Sequence, residues 1–196
     1  MNFYRGLCNF LNGVLKVFWF LKISGEKNIP SEGAFLLCSN HRSWLDPVLL
    51  AASCSRQLSF MAKEELFKNP VIGTLLKKVG AFPIKRGKGD AAAVMATLKI
   101  MRSGGATLIF PEGTRMKRGE RKCVNSGIIR LAIQTRVPIV PAYVSRHTVT
   151  YGTPVYFDKY EEFVKDTEKM QSLADDLMDT IYSFSESKPV VKELGI

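Results

Sequence analysis

The sequence predicts an α/β protein: a mixed central sheet flanked by helices and preceded by an amphipathic N-terminal helix. Three observations point there. Short apolar runs bounded by turn residues alternate with longer stretches of helical periodicity, the pattern of strand–helix units. A chain of 196 residues suits one domain with a sizeable core. Its 46% hydrophobic and 23% charged residues are a globular balance rather than a disordered one.

The first element is apolar and aromatic. Leu7, Leu11, Val14, Leu15 and Phe18 fall at helical spacing, interrupted by Asn9, Asn12, Gly13 and Lys16. The uninterrupted apolar part is shorter than the roughly 20 residues that span a bilayer. Arg5, Lys16 and Lys22 suit lipid headgroups, and Tyr4 and Trp19 suit the interface. Residues 1–22 therefore read as a helix lying in one membrane leaflet, with a core helix as the alternative. Residues 23–186 form the expected α/β domain and 187–196 a flexible tail.

Within the domain, 23–25 is a weak strand and 34–38 (Ala-Phe-Leu-Leu-Cys) a strong, buried one. Further strands are expected at 58–61, 81–84, 106–110, 137–144 and 153–157. Pro138 and Pro141 mark the sixth as an edge or bulged strand. Helices are expected at 47–52, 64–79, 90–103, 126–135 and 160–184. In the third, Asp90 is a suitable cap and Gly104-Gly105 a stop. The last carries Met170, Leu173, Leu177, Ile181 and Phe184 on one stripe, as a helix packed on the sheet would.

The charge narrows the partners. With 28 Lys+Arg against 18 Asp+Glu, the net charge is +10, which favours an anionic partner such as an acidic membrane surface or a phosphorylated substrate. No helix-turn-helix, zinc finger or RNA-binding aromatic motif is present, so nucleic acid is not expected. The four cysteines form no CxxC pair and only two histidines occur, so neither disulfides nor a metal site is expected. Cys38 reads as a buried strand cysteine rather than a nucleophile.

Three loops carry chemistry. After the strand at 34–38 comes Asn40-His41-Arg42-Ser43-Trp44-Leu45-Asp46-Pro47. Asp46 precedes a proline suited to a helix start, so it reads as an N-cap. The short loop can also fold the Asp46 carboxylate back onto one ring nitrogen of His41, fixing the tautomer as a general base requires. After the strand at 106–110 comes Pro111-Glu112-Gly113-Thr114-Arg115, which joins a carboxylate to a guanidinium fork suited to phosphate. Gly113 permits the tight turn between them. Lys85-Arg86-Gly87-Lys88-Gly89-Asp90 is a third, basic loop at a helix start, where an anion is favoured. Its glycine spacing matches neither a dinucleotide fingerprint nor a Walker loop. Each loop alone is also compatible with a capping residue or a solvated ion pair.

Together the loops resemble the glycerolipid acyltransferases, which include 1-acylglycerol-3-phosphate (lysophosphatidic acid) acyltransferase. The family's NHxxxxD block reads here as Asn40 to Asp46, and its FPEGTR block as Phe110 to Arg115. A block beginning Gly-x-Phe and ending in Arg reads as Gly80 to Arg86, and V-P-I-x-P as Val137 to Pro141. All four stand in the family's order over residues 22–145. One departure is Asn125-Ser126-Gly127, where the family often has Lys-x-Gly; Lys122 or Arg130 is the nearest replacement.

The resemblance implies an enzyme, without a cofactor or metal, that moves a fatty acyl group from a thioester to the sn-2 hydroxyl of lysophosphatidic acid. His41 and Asp46 would be catalytic. Arg86, Glu112, Gly113, Thr114 and Arg115 would bind the acceptor. The donor would be acyl-CoA or acyl-carrier protein. The setting would be the cell membrane, bound peripherally or monotopically, with the site facing the cytoplasm. Other acceptors (glycerol 3-phosphate, another lysophospholipid, a lyso-aminolipid), a thioesterase and a non-catalytic membrane-binding protein are the alternatives.

Overall fold

The computed structural model describes residues 20–84, 91–117 and 124–185, together with Gly6, Leu7 and Gly13. The expected N-terminal helix thus lies, apart from those few positions, outside the described residues, as does the tail at 187–196. Residues 20 and 21 are not helical, and the first strand begins at Lys22.

Among the described residues, seven strands form one mixed sheet. They are β1 (Lys22–Ser24), β2 (Phe35–Ser39), β3 (Leu58–Lys63), β4 (Ala81–Ile84), β5 (Ala106–Ile109), β6 (Ile139–Val144) and β7 (Thr148–Tyr151), in the order β1-β7-β6-β2-β5-β3-β4. Strands β2 to β6 run parallel; β7 is antiparallel to β6, and β1 parallel to β7. Strand β2 lies at the centre, paired with β5 on one side and β6 on the other. A strand covered on both faces should read as a continuous apolar run, and Phe35-Leu36-Leu37-Cys38 does. Each of these side chains is fully buried. Burying each large one stabilises the fold by about 1.5–3 kcal/mol before entropic costs.

Helices α1 (Asp46–Ser53), α2 (Glu64–Phe67), α3 (Pro70–Lys78), α4 (Ala91–Arg102), α5 (Gly127–Thr135) and α6 (Thr167–Ser183) cover both faces. On one, Leu49 and Leu50 of α1 and Leu76 of α3 pack with Phe35, Leu37, Leu58 and Leu108. On the other, Met101 of α4, Ile129 of α5 and Leu177 of α6 pack with Leu36, Cys38 and Ile139. The expected stripe of the last helix is buried at Met170, Leu173, Leu177 and Ile181.

Four expectations need correction. The sixth strand, expected at an edge or bulge, is interior, with β6 paired to β2 on one side and to β7 on the other. The helix expected at 64–79 is two, because Asn69-Pro70 interrupts it. Pro70 supplies no N–H, and the Asn69 side chain caps a new helix by accepting from the amides of Val71 (3.0 Å) and Ile72 (3.0 Å). The last strand is Thr148–Tyr151, where Val149 and Tyr151 alternate inward, while 153–157 contributes only an isolated bridge from Val155 to Ile139. A short helix of 3-10 type, Asp158–Phe163, precedes α6, which starts only after Asp166 accepts from Lys169 N–H.

Candidate active site

The carboxyl ends of β2 and β5 lie side by side, and their chains leave to opposite faces of the sheet. β2 continues to α1 on one face, and β5 to α5 on the other. Such a divergence leaves a crevice beyond the strand ends, the usual ligand position in sheets of this kind.

The β2 end is fixed first. Asn40 is buried, and its amide makes two hydrogen bonds with one residue at the end of β6. Nδ2 donates to Val144 O (2.9 Å), and Oδ1 accepts from Val144 N–H (2.8 Å). The histidine loop therefore springs from a point clamped between adjacent strand ends.

His41 and Asp46 meet. His41 Nδ1 lies 3.1 Å from Asp46 Oδ2, and the same oxygen accepts from the amides of Arg42 (2.7 Å) and Ser43 (2.7 Å). A carboxylate oxygen is an acceptor only, so Nδ1 carries the proton and Nε2 holds the free lone pair. Asp46 is only 4% exposed at its side chain and His41 18%, so the pair sits at the rim of the interior. The capping expectation for Asp46 changes accordingly. Asp46 is the first residue of α1, Leu45 occupies the cap position, and the carboxylate closes the preceding loop instead. Pro47 still opens the helix, as its sequence position implied.

The β5 loop packs against the histidine. The Phe110 ring stacks on the imidazole at 4.0 Å and 18°, which fixes the plane of the ring. Met116 N–H donates to His41 O (2.8 Å), so the segment carrying Arg115 is hydrogen-bonded to the histidine loop. Gly113 has φ of +67° and donates to Phe110 O (3.0 Å). A Cβ there would meet nothing within 4 Å, so glycine answers a backbone need and not a crowded one. Thr114, Arg115 and Lys117 are exposed at the mouth, a cationic rim suited to an anion.

Glu112 differs from its neighbours. It is 4% exposed, and protein donors hold both of its oxygens. Oε2 accepts from His41 N–H (2.8 Å), and Oε1 accepts from the hydroxyl of Tyr182 on α6. The Tyr182 hydroxyl is pushed up from 10.0 to about 12, first by burial and then by its bond to Glu112. It therefore remains a neutral donor at working pH.

The structure thus brings His41, Asp46, Glu112, Gly113, Thr114 and Arg115 to one end of the sheet. Arg86 and its basic loop, and Lys122, lie outside the described residues. Arg130 donates to Val164 O. Burial pushes the Cys38 thiol far above its ordinary value, which keeps it neutral and unreactive. Among the described residues no cluster of three or more His, Cys, Asp or Glu is placed to hold a metal ion. Sequence reasoning passed over Asn40, Phe110 and Tyr182 as site-shaping residues. The first two lie inside the motif blocks, whereas no local pattern marks Tyr182.

An acyltransferase family model matches residues 20–145. A 1-acyl-sn-glycerol-3-phosphate acyltransferase of Bacillus subtilis is 31% identical over 140 residues, covering 71% of this chain and 69% of that protein. One of Streptococcus pneumoniae is 35% identical over 123 residues, covering 62% of this chain and 42% of that protein. A lyso-ornithine lipid O-acyltransferase of Pseudomonas aeruginosa is 32% identical over 126 residues, covering 64% of this chain and 47% of that protein. In the last two, the chain spans less than half of its relative's length. The crystal structure of a 1-acyl-sn-glycerophosphate acyltransferase from Thermotoga maritima shares the fold, with a TM-score of 0.64 at 19% identity over 89% of this chain and 79% of that one.

Proposed function

Since this chain belongs to the acyltransferase family, we propose that it moves a fatty acyl group from a thioester to the sn-2 hydroxyl of lysophosphatidic acid, forming phosphatidic acid for phospholipid synthesis. The observation that carries this reading is the His41–Asp46 pair at 3.1 Å, standing beside a loop that ends in the exposed Arg115.

In this mechanism His41 Nε2 takes the acceptor's hydroxyl proton as that oxygen attacks the thioester carbonyl carbon. The tetrahedral intermediate then collapses. The carbon–sulfur bond breaks, and the imidazolium returns its proton to the leaving thiolate. Asp46 holds the ring and stabilises its charged form, the role of the carboxylate in a serine-protease triad. The nucleophile is the acceptor itself, so no enzyme acyl carrier is needed, consistent with the neutral, buried Cys38 thiol. Arg115, together with Arg86, binds the acceptor phosphate, and Gly113 and Thr114 shape the turn that presents the guanidinium. Glu112 serves the acceptor through the position it gives His41.

The donor is acyl-CoA or acyl-carrier protein; both are anionic and suit a chain of net charge +10. The setting is the cytoplasmic face of the cell membrane, where the acceptor resides. Among the described residues no helix is long and apolar enough to cross a membrane. Two features support binding at an anionic membrane surface. Val71, Ile72 and Leu75 of α3 are exposed next to Lys77 and Lys78 in its last turn. Trp44 is exposed in the histidine loop itself. A lyso-aminolipid acceptor is the second reading, favoured by Asn125 in place of a lysine and by the Pseudomonas relative.

An assay crossing both donors with lysophosphatidic acid, glycerol 3-phosphate and a lyso-aminolipid, with products identified by mass, tests the reading. Phosphatidic acid should be the product of highest kcat/KM. Acylation of another acceptor alone, or release of free fatty acid alone, would overturn it.

A further inference from the structure

The C-terminal helix lies beyond the segment that the family model matches, which ends at residue 145. It packs on the sheet through Met170, Leu173, Leu177 and Ile181. Tyr182, in its last turn, leaves that stripe and turns toward the histidine loop. Its hydroxyl donates to Glu112 Oε1, and its ring lies under the Arg42 guanidinium, 5.4 Å from ring centroid to Cζ. The Tyr143 ring meets it edge-on at 6.4 Å. Three chain segments far apart in sequence therefore converge on one hydroxyl and one carboxylate.

We propose that Tyr182 is a positioning residue for acyl transfer. Its hydroxyl holds the Glu112 carboxylate, which holds the His41 backbone amide, and α6 thereby sets where the imidazole stands. The proposal rests on the reading of His41 as the base.

The physical case begins with Glu112. A buried carboxylate is stable only when its oxygens are satisfied, and here each takes one donor. Without the tyrosine hydroxyl, Oε1 is left unsatisfied in a 4% exposed residue. Glu112 then turns toward water or another donor, and the His41 amide loses the fixed acceptor at 2.8 Å. Arg42 adds a second grip. Its amide donates to Asp46 Oδ2 (2.7 Å), while its guanidinium covers the Tyr182 ring, so the helix meets the histidine loop directly at Arg42 as well as through Glu112. Burial and Glu112 keep the hydroxyl protonated up to about 12, so the clamp stays intact across the range in which a histidine base works. None of these bonds reaches the reacting atoms. Their effect is geometric, and displacement of a reacting group by about 1 Å can cost ~10²-fold in rate.

Tyr182→Phe in the full chain is the test, since it removes the hydroxyl and keeps the ring. We expect kcat to fall about 10- to 100-fold while KM for thioester and lyso-acceptor stays within about twofold. A second readout needs no substrate. The chain has only two histidines, His41 and the exposed His147, so imidazole nitrogen resonances report on each separately. Those of His41 should move in the variant and those of His147 should not. This readout stands even if lysophosphatidic acid is not the acceptor, which separates the two proposals. Added to Glu112→Ala, Tyr182→Phe should cost little further, because the loss of the carboxylate already breaks the chain of bonds. Unchanged kcat with unmoved His41 resonances, or equal losses in both Glu112 backgrounds, would reduce Tyr182 to packing and overturn the proposal.

Discussion

At the scale of single residues, one oxygen of Asp46 takes three donors, from His41 Nδ1 and the amides of Arg42 and Ser43. That oxygen does two things at once: it closes the loop and selects the histidine tautomer. Asp46→Asn separates them. An amide oxygen still accepts from the two backbone N–H groups, but it carries no charge to stabilise the imidazolium. We expect kcat to drop ~10²–10⁴-fold with nearly unchanged thermal stability. Activity near wild type in that variant would remove the imidazolium-stabilising role. The His41–Asp46 contact was legible in the sequence because both residues sit on one short loop. Glu112 was only half legible. The motif marks it, but its partners are 71 residues upstream and 70 downstream, and only the fold brings them together. Tyr182 carried no signal, since a tyrosine beside an apolar stripe is ordinary helix composition.

Among elements, the site depends on how strand ends are tied. The two bonds between Asn40 and Val144 join the β2 exit to the β6 end inside the protein. Asn40→Ala leaves a buried N–H and C=O of Val144 without those partners, at about 1–3 kcal/mol for each unsatisfied group. Thermal unfolding should show it, at roughly 2–4 °C per kcal/mol for a domain of this size. An unchanged midpoint would mean that solvent or a neighbour replaces the amide. Strand β2 was readable because burial on both faces leaves a continuous apolar run. The helix break was written in Asn69-Pro70, yet the helical periodicity on either side masked it. Strand β7 was missed because its signal is a four-residue alternation, and its place in the sheet comes from antiparallel pairing with β6. Local pattern specifies an element's type well and its pairing partner poorly.

For the whole molecule, the arrangement follows from a central β2 flanked by β5 and β6. The strand order sends the histidine loop and the arginine loop to neighbouring exits. The proposed site needs both loops at the same end of the sheet. They lie there, joined by the bond from Met116 N–H to His41 O. Motif order in the sequence carried that information only through the family resemblance, because spacing alone does not say which strands are adjacent. The role proposed for His41 is proton transfer during acyl exchange. It is tested most directly by the rate of acyl transfer to lysophosphatidic acid in purified His41→Ala, with folding checked by thermal unfolding. The kcat should fall ~10²–10⁴-fold or more with the fold retained. A folded His41→Ala protein that transfers acyl groups at near wild-type rate would contradict it.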